Sequence, residues 1–282
     1  METGIGIGTA TATASASATA SDFETVTSWP ARGATAEGSF PRSWAQGRAT
    51  FGGAAAATAY RLASTLVDKA RRPLTVDCVF FGPVAPEVRA TCEARVLREG
   101  KYVTSVESTI AQAGQLCART LVSFGLPRAS GIVIDEPPRV LPARTGEPVP
   151  HLEGLTPTFL QHFELTWMQG AYPFTGAKEH GIAGYCRHRT RANGVEAVLG
   201  LLDAWPGPML PLLDGPGVAS TVRWAAHLSD LATFDPHEHT YFDSRVVAAH
   251  DGYASTIGHL YDARGRAIAW SEQLVAFFEP KR

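Results

Sequence analysis

The chain has 282 residues, 45% of them hydrophobic and 18% charged, with a formal net charge of −2 and a pI near 6.5. That balance supports a sizeable core but supplies no basic surface to hold a phosphate backbone, which argues against nucleic acid as a partner. No run reaches the roughly 18 apolar residues of a membrane-spanning helix. Cys78, Cys92, Cys117 and Cys186 form no CxxC pair, so buried free thiols in a reducing cytoplasm are the expectation.

The first 21 residues, METGIGIGTATATASASATAS, lack both a basic stretch and a strongly apolar one. That disfavours a signal peptide and reads as a flexible tail. After Phe51-Gly52-Gly53, Ala55, Ala59, Leu62 and Leu66 recur with the period of an amphipathic helix of about four turns. From Leu74 the period drops to two, and strands are expected at 74–80, 87–98, 102–112 and 115–124. The turns at Glu99-Gly100 and Ala113-Gly114 are short enough to make them antiparallel. Seven prolines between Pro127 and Pro157 then read as a linker.

Beyond it, strands are expected at 159–168 and 184–190, followed by a helix in VEAVLGLLDAW with Asn193 as N-cap, broken by Pro206, Pro208 and Pro211. Further strands are expected near 218–228, 240–249, 253–262 and 266–278. REGKYVTSVESTIAQAGQLCARTLVSF and HDGYASTIGHLYDARGRAIAWSEQLVAF end the two halves with one grammar: an acid before Gly100 or Gly252, an alternating run, then Gly114 or Gly265 and a strand ending in Phe124 or Phe277. The expectation is a duplicated α+β unit, a tandem or double hotdog in which two long helices are each wrapped by a curved antiparallel sheet. It divides the chain into a tail (1–21), a first hotdog (22–126), a linker (127–157) and a second hotdog (158–282).

Five motifs in order resemble the double-hotdog acyl-CoA thioesterases of the thioesterase II type. They are Gly47-Arg48-Ala49-Thr50-Phe51-Gly52-Gly53, Phe80-Phe81-Gly82-Pro83-Val84 where the family has Phe-Leu-Arg-Pro, the Glu99-Gly100 hairpin, Leu202-Asp203, and Ala269-Trp270-Ser271-Glu272-Gln273. The resemblance covers residues 47–278. It implies hydrolysis of an acyl-CoA or acyl-carrier-protein thioester by water held by an Asp, a Gln and a hydroxyl, with no cofactor beyond the coenzyme A of the substrate. It also implies a homodimer or higher oligomer, in the cytoplasm expected from the cysteines.

By that resemblance the carboxylate is Asp203 and the amide Gln273. A strict match puts the hydroxyl on Gly217, which has none; Thr221 shares its strand parity, whereas Ser220 faces the other way. From the residues alone, Asp203 in an apolar stretch is either a group of the site or the cap of the broken helix, and Gln273 either holds water or lies on the solvent face. Gly52 and Gly53 either admit a thioester carbonyl to the helix N-terminus or merely allow a tight turn and close packing.

His237-Glu238-His239 reads as a solvated loop rather than a metal site, and neither a Gly-x-Ser-x-Gly elbow nor a Walker loop occurs. Arg42, Arg48, Arg71 and Arg72 are weak candidates for phosphate contacts. Trp167, Phe80 and Phe81 are read as core before acyl tunnel. Two other functions stay open: a non-catalytic hotdog that binds acyl thioesters or assists assembly, and a hydratase or dehydratase. The latter is disfavoured because neither helix carries a His. Val122 stands where Gln273 does in the other half, so a single site per chain is expected, where Asp203 and Gln273 meet the Gly52-Gly53 helix start.

Overall fold

The computed structural model describes residues 22–134, 136–232 and 234–279; the tail expected over 1–21 lies outside them. The first half contains a short helix α1 (Phe23–Thr27), strand β1 (Thr35–Gly38) and helix α2 (Gly52–Ser64). Strands β2 (Arg72–Phe80), β3 (Ala90–Glu99), β4 (Val103–Gln112) and β5 (Gln115–Gly125) follow. The second half contains β6 (Phe163–Gln169), β7 (Gly181–His188) and α3 (Gly194–Asp203). It closes with β8 (Val218–Leu228), β9 (Thr240–His250), β10 (Tyr253–Tyr261) and β11 (Ala267–Phe278).

All these strands lie in one 13-stranded antiparallel sheet, whose outermost members are two-residue strands at 31–32 and 147–148. The order β1-β3-β4-β5-β2 in the first half is answered by β7-β9-β10-β11-β8 in the second, and β2 pairs with β8 at the junction. The halves are thus related by a pseudo-twofold through the β2–β8 ladder, the double-hotdog arrangement anticipated from the repeat. Register repeats as well as order. The β2–β5 pair shifts between Pro73 and Thr75, and the β8–β11 pair shifts between Thr221 and Arg223. Val76 opposite Val122 therefore corresponds to Trp224 opposite Gln273.

The inner face of the sheet wraps α2 and α3, which pack on each other in opposite directions. The start of α2 meets the end of α3 through Gly53 and Asp203, and its last turn meets the first turn of α3 through Arg61 and Glu196, 3.1 Å apart. Alanines at 54–57, 59 and 63 are buried and let α2 sit close to its neighbours. The helix stops at Ser64, where the Ser64 and Thr65 hydroxyls fold back to donate to the Arg61 and Leu62 carbonyls, each at 2.7 Å.

Several local expectations needed tertiary context. Asn193 stands at the N-cap of α3 but makes no side-chain cap bond; its amide donates to Glu24 Oε2 at 2.9 Å, tying α1 to α3. Residues 158–162 form a 3-10 turn instead of the start of a strand, because Gln161 Nε2 and His162 Nε2 are drawn to the Ser43 carbonyl. Helix α1, which has no counterpart in the sequence reading, is capped by Asp22 and buries Phe23 against Trp44 and His188. Part of the proline-rich linker straps the outer face of the second half. Arg139 pairs with Asp243 and lies over the rings of Tyr241 and Tyr261, while Tyr185 donates to the Pro142 carbonyl. Gly265 turns at φ +79° where any Cβ would collide with the Arg139 carbonyl.

Two histidines belong to this core. His162 stacks on Trp44 at 3.9 Å, and His188 lies between Phe23 and Phe163 with Nε2 against the Ala197 carbonyl at 3.0 Å. Burial pushes both down from 6.5 to about 4, so the fold holds them neutral. The unfolded chain binds these protons first. Their stability contribution is therefore complete above about pH 6.5 and is lost as pH falls towards 4, by about 3 kcal/mol per residue. Because Asp203 acts in the opposite direction over the same range, the histidine contribution is read by difference: in thermal denaturation, Tm of His188→Gln relative to wild type should rise as pH falls from 7 to 4.

Candidate active site

Helix α3 ends at Asp203 because the chain turns out through Ala204 and Trp205 into Pro206, and Trp205 is fixed by stacking on Phe242 and by a tilted contact with Trp167. The antiparallel helix pair aims the Asp203 carboxylate at the start of α2. Gly53 N–H donates to its Oδ2 at 2.7 Å, so Asp203 caps the opposite helix and not its own. Gln273 Nε2 donates to Oδ1 at 3.3 Å, and the Thr221 hydroxyl donates to Gln273 Oε1 at 3.5 Å. All three side chains are half-buried, Gln273 facing inward and not towards solvent on the outer face.

Burial is the largest influence on Asp203 and raises its pKa from 3.8 to about 7, against the two hydrogen bonds that favour the carboxylate. An acid poised there exchanges a proton near neutrality, which suits general base work. The last two contacts are long for hydrogen bonds, so the Gln273 amide holds the carboxylate, and the Thr221 hydroxyl the amide, less tightly than Gly53 N–H holds the carboxylate.

The two glycines divide their duties. A Cβ on Gly52 would stand 2.8 Å from Asp203 Oδ2 and 3.5 Å from the tip of Phe80, whereas one on Gly53 would meet the Phe51 ring at 2.6 Å and the Leu199 carbonyl at 3.1 Å. Gly53 thus serves close packing, and its N–H is already committed to Asp203. The Gly52 N–H, at the same helix start, makes no hydrogen bond among the described residues.

The facing of Thr221 is set by a bulge. Thr221 and Trp224 would face opposite sides of an unbroken strand, but the extra residue Val222 brings both to the inner face, with Thr221 opposite Val275 and Trp224 opposite Gln273. Ser220 is exposed opposite Ala276. Gly217 precedes the strand, pressed between Leu213 and the Phe278 carbonyl, both 2.6 Å from where a Cβ would stand. Sequence reasoning missed Trp224 and Thr256, which flank Gln273 on the same inner row from the strands either side. Register across three strands is the signal that reveals them.

The remaining candidates lie elsewhere. Arg42 pairs with Glu87, and Arg71 donates to the Gly100 carbonyl. Trp167 is core, while Phe81 is 57% exposed beside Phe80. His239 is bound to Glu164 at 2.9 Å, and among the described residues no group of three or more His, Cys, Asp or Glu is placed to hold a metal.

The acyl-CoA thioesterase N-terminal domain family matches residues 40–125, and the acyl-CoA thioesterase C-terminal domain family matches residues 137–277. A search of curated proteins returns no significant match. Among solved structures, a hot dog fold protein of unknown function from Alicyclobacillus acidocaldarius aligns with TM-score 0.78 at 20% identity, covering 92% of this chain and 98% of that one. An acyl-CoA thioesterase II from Mycobacterium marinum aligns with TM-score 0.67 at 18% identity, covering 92% and 99%. The dehydratase domain of RzxB from Pseudomonas fluorescens aligns more distantly, with TM-score 0.53 at 13% identity over 86% and 94%. These likenesses establish the shared fold, and the two domain matches establish the family. The chain belongs to the acyl-CoA thioesterases, thioester hydrolases of the double-hotdog, thioesterase II-like type.

Proposed function

We propose that this chain hydrolyses an acyl-CoA to the free acid and coenzyme A by direct attack of a water bound to Asp203, Gln273 and Thr221. The observation that carries this reading is the Asp203 carboxylate held 2.7 Å from the first turn of α2, with Gln273 and Thr221 in series behind it. Asp203 takes a proton as the water oxygen attacks the thioester carbonyl. Gly52 N–H and the positive end of α2 stabilise the oxyanion. Collapse breaks the C–S bond, and the thiolate leaves with the proton that Asp203 returns. Every atom of the products then derives from the thioester and one water.

Two features support one such site per chain. The pseudo-twofold puts Pro73 at the position of Thr221 and Val122 at that of Gln273. In α2 the position equivalent to Asp203 is Arg61, which is engaged with Glu196. A non-hydrolysable thioether analogue should bind at one molecule per chain by calorimetry; two would contradict this.

The experiment that tests the function is thiol release from acyl-CoAs of graded length, repeated with acyl-carrier-protein thioesters to separate the two carriers. Release well above buffer supports the reading, whereas tight binding without release supports a non-catalytic binder. A dehydratase reading is disfavoured because no histidine is hydrogen-bonded to Asp203, Gln273 or Thr221 among the described residues. Since Asp203 must be ionised, kcat should rise as pH increases through about 7. A rate flat from pH 5.5 to 8.5 would remove Asp203 as the base. A homodimer or larger assembly remains part of the proposal, to be read by light scattering.

A further inference from the structure

The inner face next to the proposed site continues into an apolar cluster separate from the main core. Two cross-strand rows define its floor. One runs Thr221, Val275, Ala254; the other runs Gln273, Thr256, Val246. Each row begins at a member of the proposed site and reaches across two strands, about 10 Å. Val275, Ala254 and Val246 are buried under Met209, and these four residues form their own cluster.

Met209 belongs to the proline-rich turn that follows α3 immediately, six residues after Asp203. Gly207 permits its backward fold, since a Cβ there would stand 2.5 Å from Met209 Sδ. Below it lie only small or β-branched side chains. Leu210, Leu212 and Phe277 close the cluster's edge while remaining partly exposed. A fully buried, unbranched thioether over a narrow apolar floor is a plug that can change rotamer at small cost. The space beneath the helices is filled by larger side chains such as Leu199, Leu202 and Trp224, each 1% exposed or less.

We infer that Met209 roofs the acyl subsite and sets its depth, so that the substrate is a straight-chain, medium-length acyl thioester whose tail lies along Val275, Ala254 and Val246. This rests on the thioesterase reading above. The carbonyl sits at Asp203, the tail crosses the two rows and displaces the Met209 side chain, and branched or aryl groups meet the floor too early.

The test is a thiol-release panel with butyryl-, octanoyl-, dodecanoyl- and benzoyl-CoA on the wild type, Met209→Ala and Ala254→Leu, each checked for folding by circular dichroism. Octanoyl-CoA should be the best wild-type substrate. Met209→Ala should raise the dodecanoyl-to-butyryl ratio of kcat/KM roughly tenfold, and Ala254→Leu should lower the octanoyl-to-butyryl ratio by a similar factor. Unchanged ratios in both folded variants, or in the one that folds, would overturn the assignment. A wild type preferring benzoyl-CoA would also do so. No thiol release from any substrate would instead count against the function itself, so the two failures are distinguishable.

Discussion

Asp203→Asn should lower kcat on the best acyl-CoA by roughly 10²–10⁴-fold, the span usually supplied by a positioned general base, and should raise Tm at the same time. Loss of rate follows because an amide cannot take the water's proton. The gain in stability follows from the elevated pKa. Asp203 releases its proton near 3.8 in the unfolded chain but at about 7 in the fold. Between those values the native state binds more protons, so its stability declines as pH rises, and the ionised form is the destabilised one. Asn has no such form, and its carbonyl can still accept from Gly53 N–H. The Tm difference between variant and wild type should therefore be largest at pH 8 and vanish below about pH 4. A variant that loses activity and is equally destabilised at every pH would point to a structural carboxylate.

Gly52→Ala should cost about 10²-fold or more in kcat/KM, within the range attached to a single misplaced catalytic contact, without loss of stability. The new methyl would stand 2.8 Å from Asp203 Oδ2, so the carboxylate must move away from the start of α2. Gly52 has no left-handed backbone requirement, and alanine in a helix is favoured over glycine by up to about 1 kcal/mol. Gly53→Ala should behave in the opposite way. Its methyl meets the Phe51 ring and the Leu199 carbonyl, so overpacking of about 1–3 kcal/mol should appear in the urea midpoint. Equal stability losses in the two variants would mean that both glycines serve packing alone.

Periodicity and turn glycines carried the strands because each was bounded locally: Gly100, Gly114, Gly252 and Gly265 all lie at turns between neighbouring strands. Features decided by distant partners were not legible. Asn193 looks like an N-cap, but Glu24, 169 residues away in sequence, takes its amide. Residues 158–162 carry strand-like side chains, yet the Ser43 carbonyl draws Gln161 and His162 into a 3-10 turn.

The candidate site divides along the same line. Asp203 and Gln273 were visible as polar residues in apolar runs, read through the family resemblance. That Asp203 caps α2 depends on antiparallel helix packing that no local pattern encodes. The hydroxyl required the bulge at Val222. Counting alternation along GVASTVRW puts Thr221 and Trp224 on opposite faces, and only the register against β11 brings both beside Gln273 and Val275.

A single turnover in H₂¹⁸O, with enzyme in excess over octanoyl-CoA, tests direct water attack most immediately. One ¹⁸O should appear in the octanoic acid, with Asp203 unlabelled by peptide mass spectrometry. Unlabelled acid with ¹⁸O in the Asp203 carboxylate would show that Asp203 attacks the thioester itself and would contradict its role as the base.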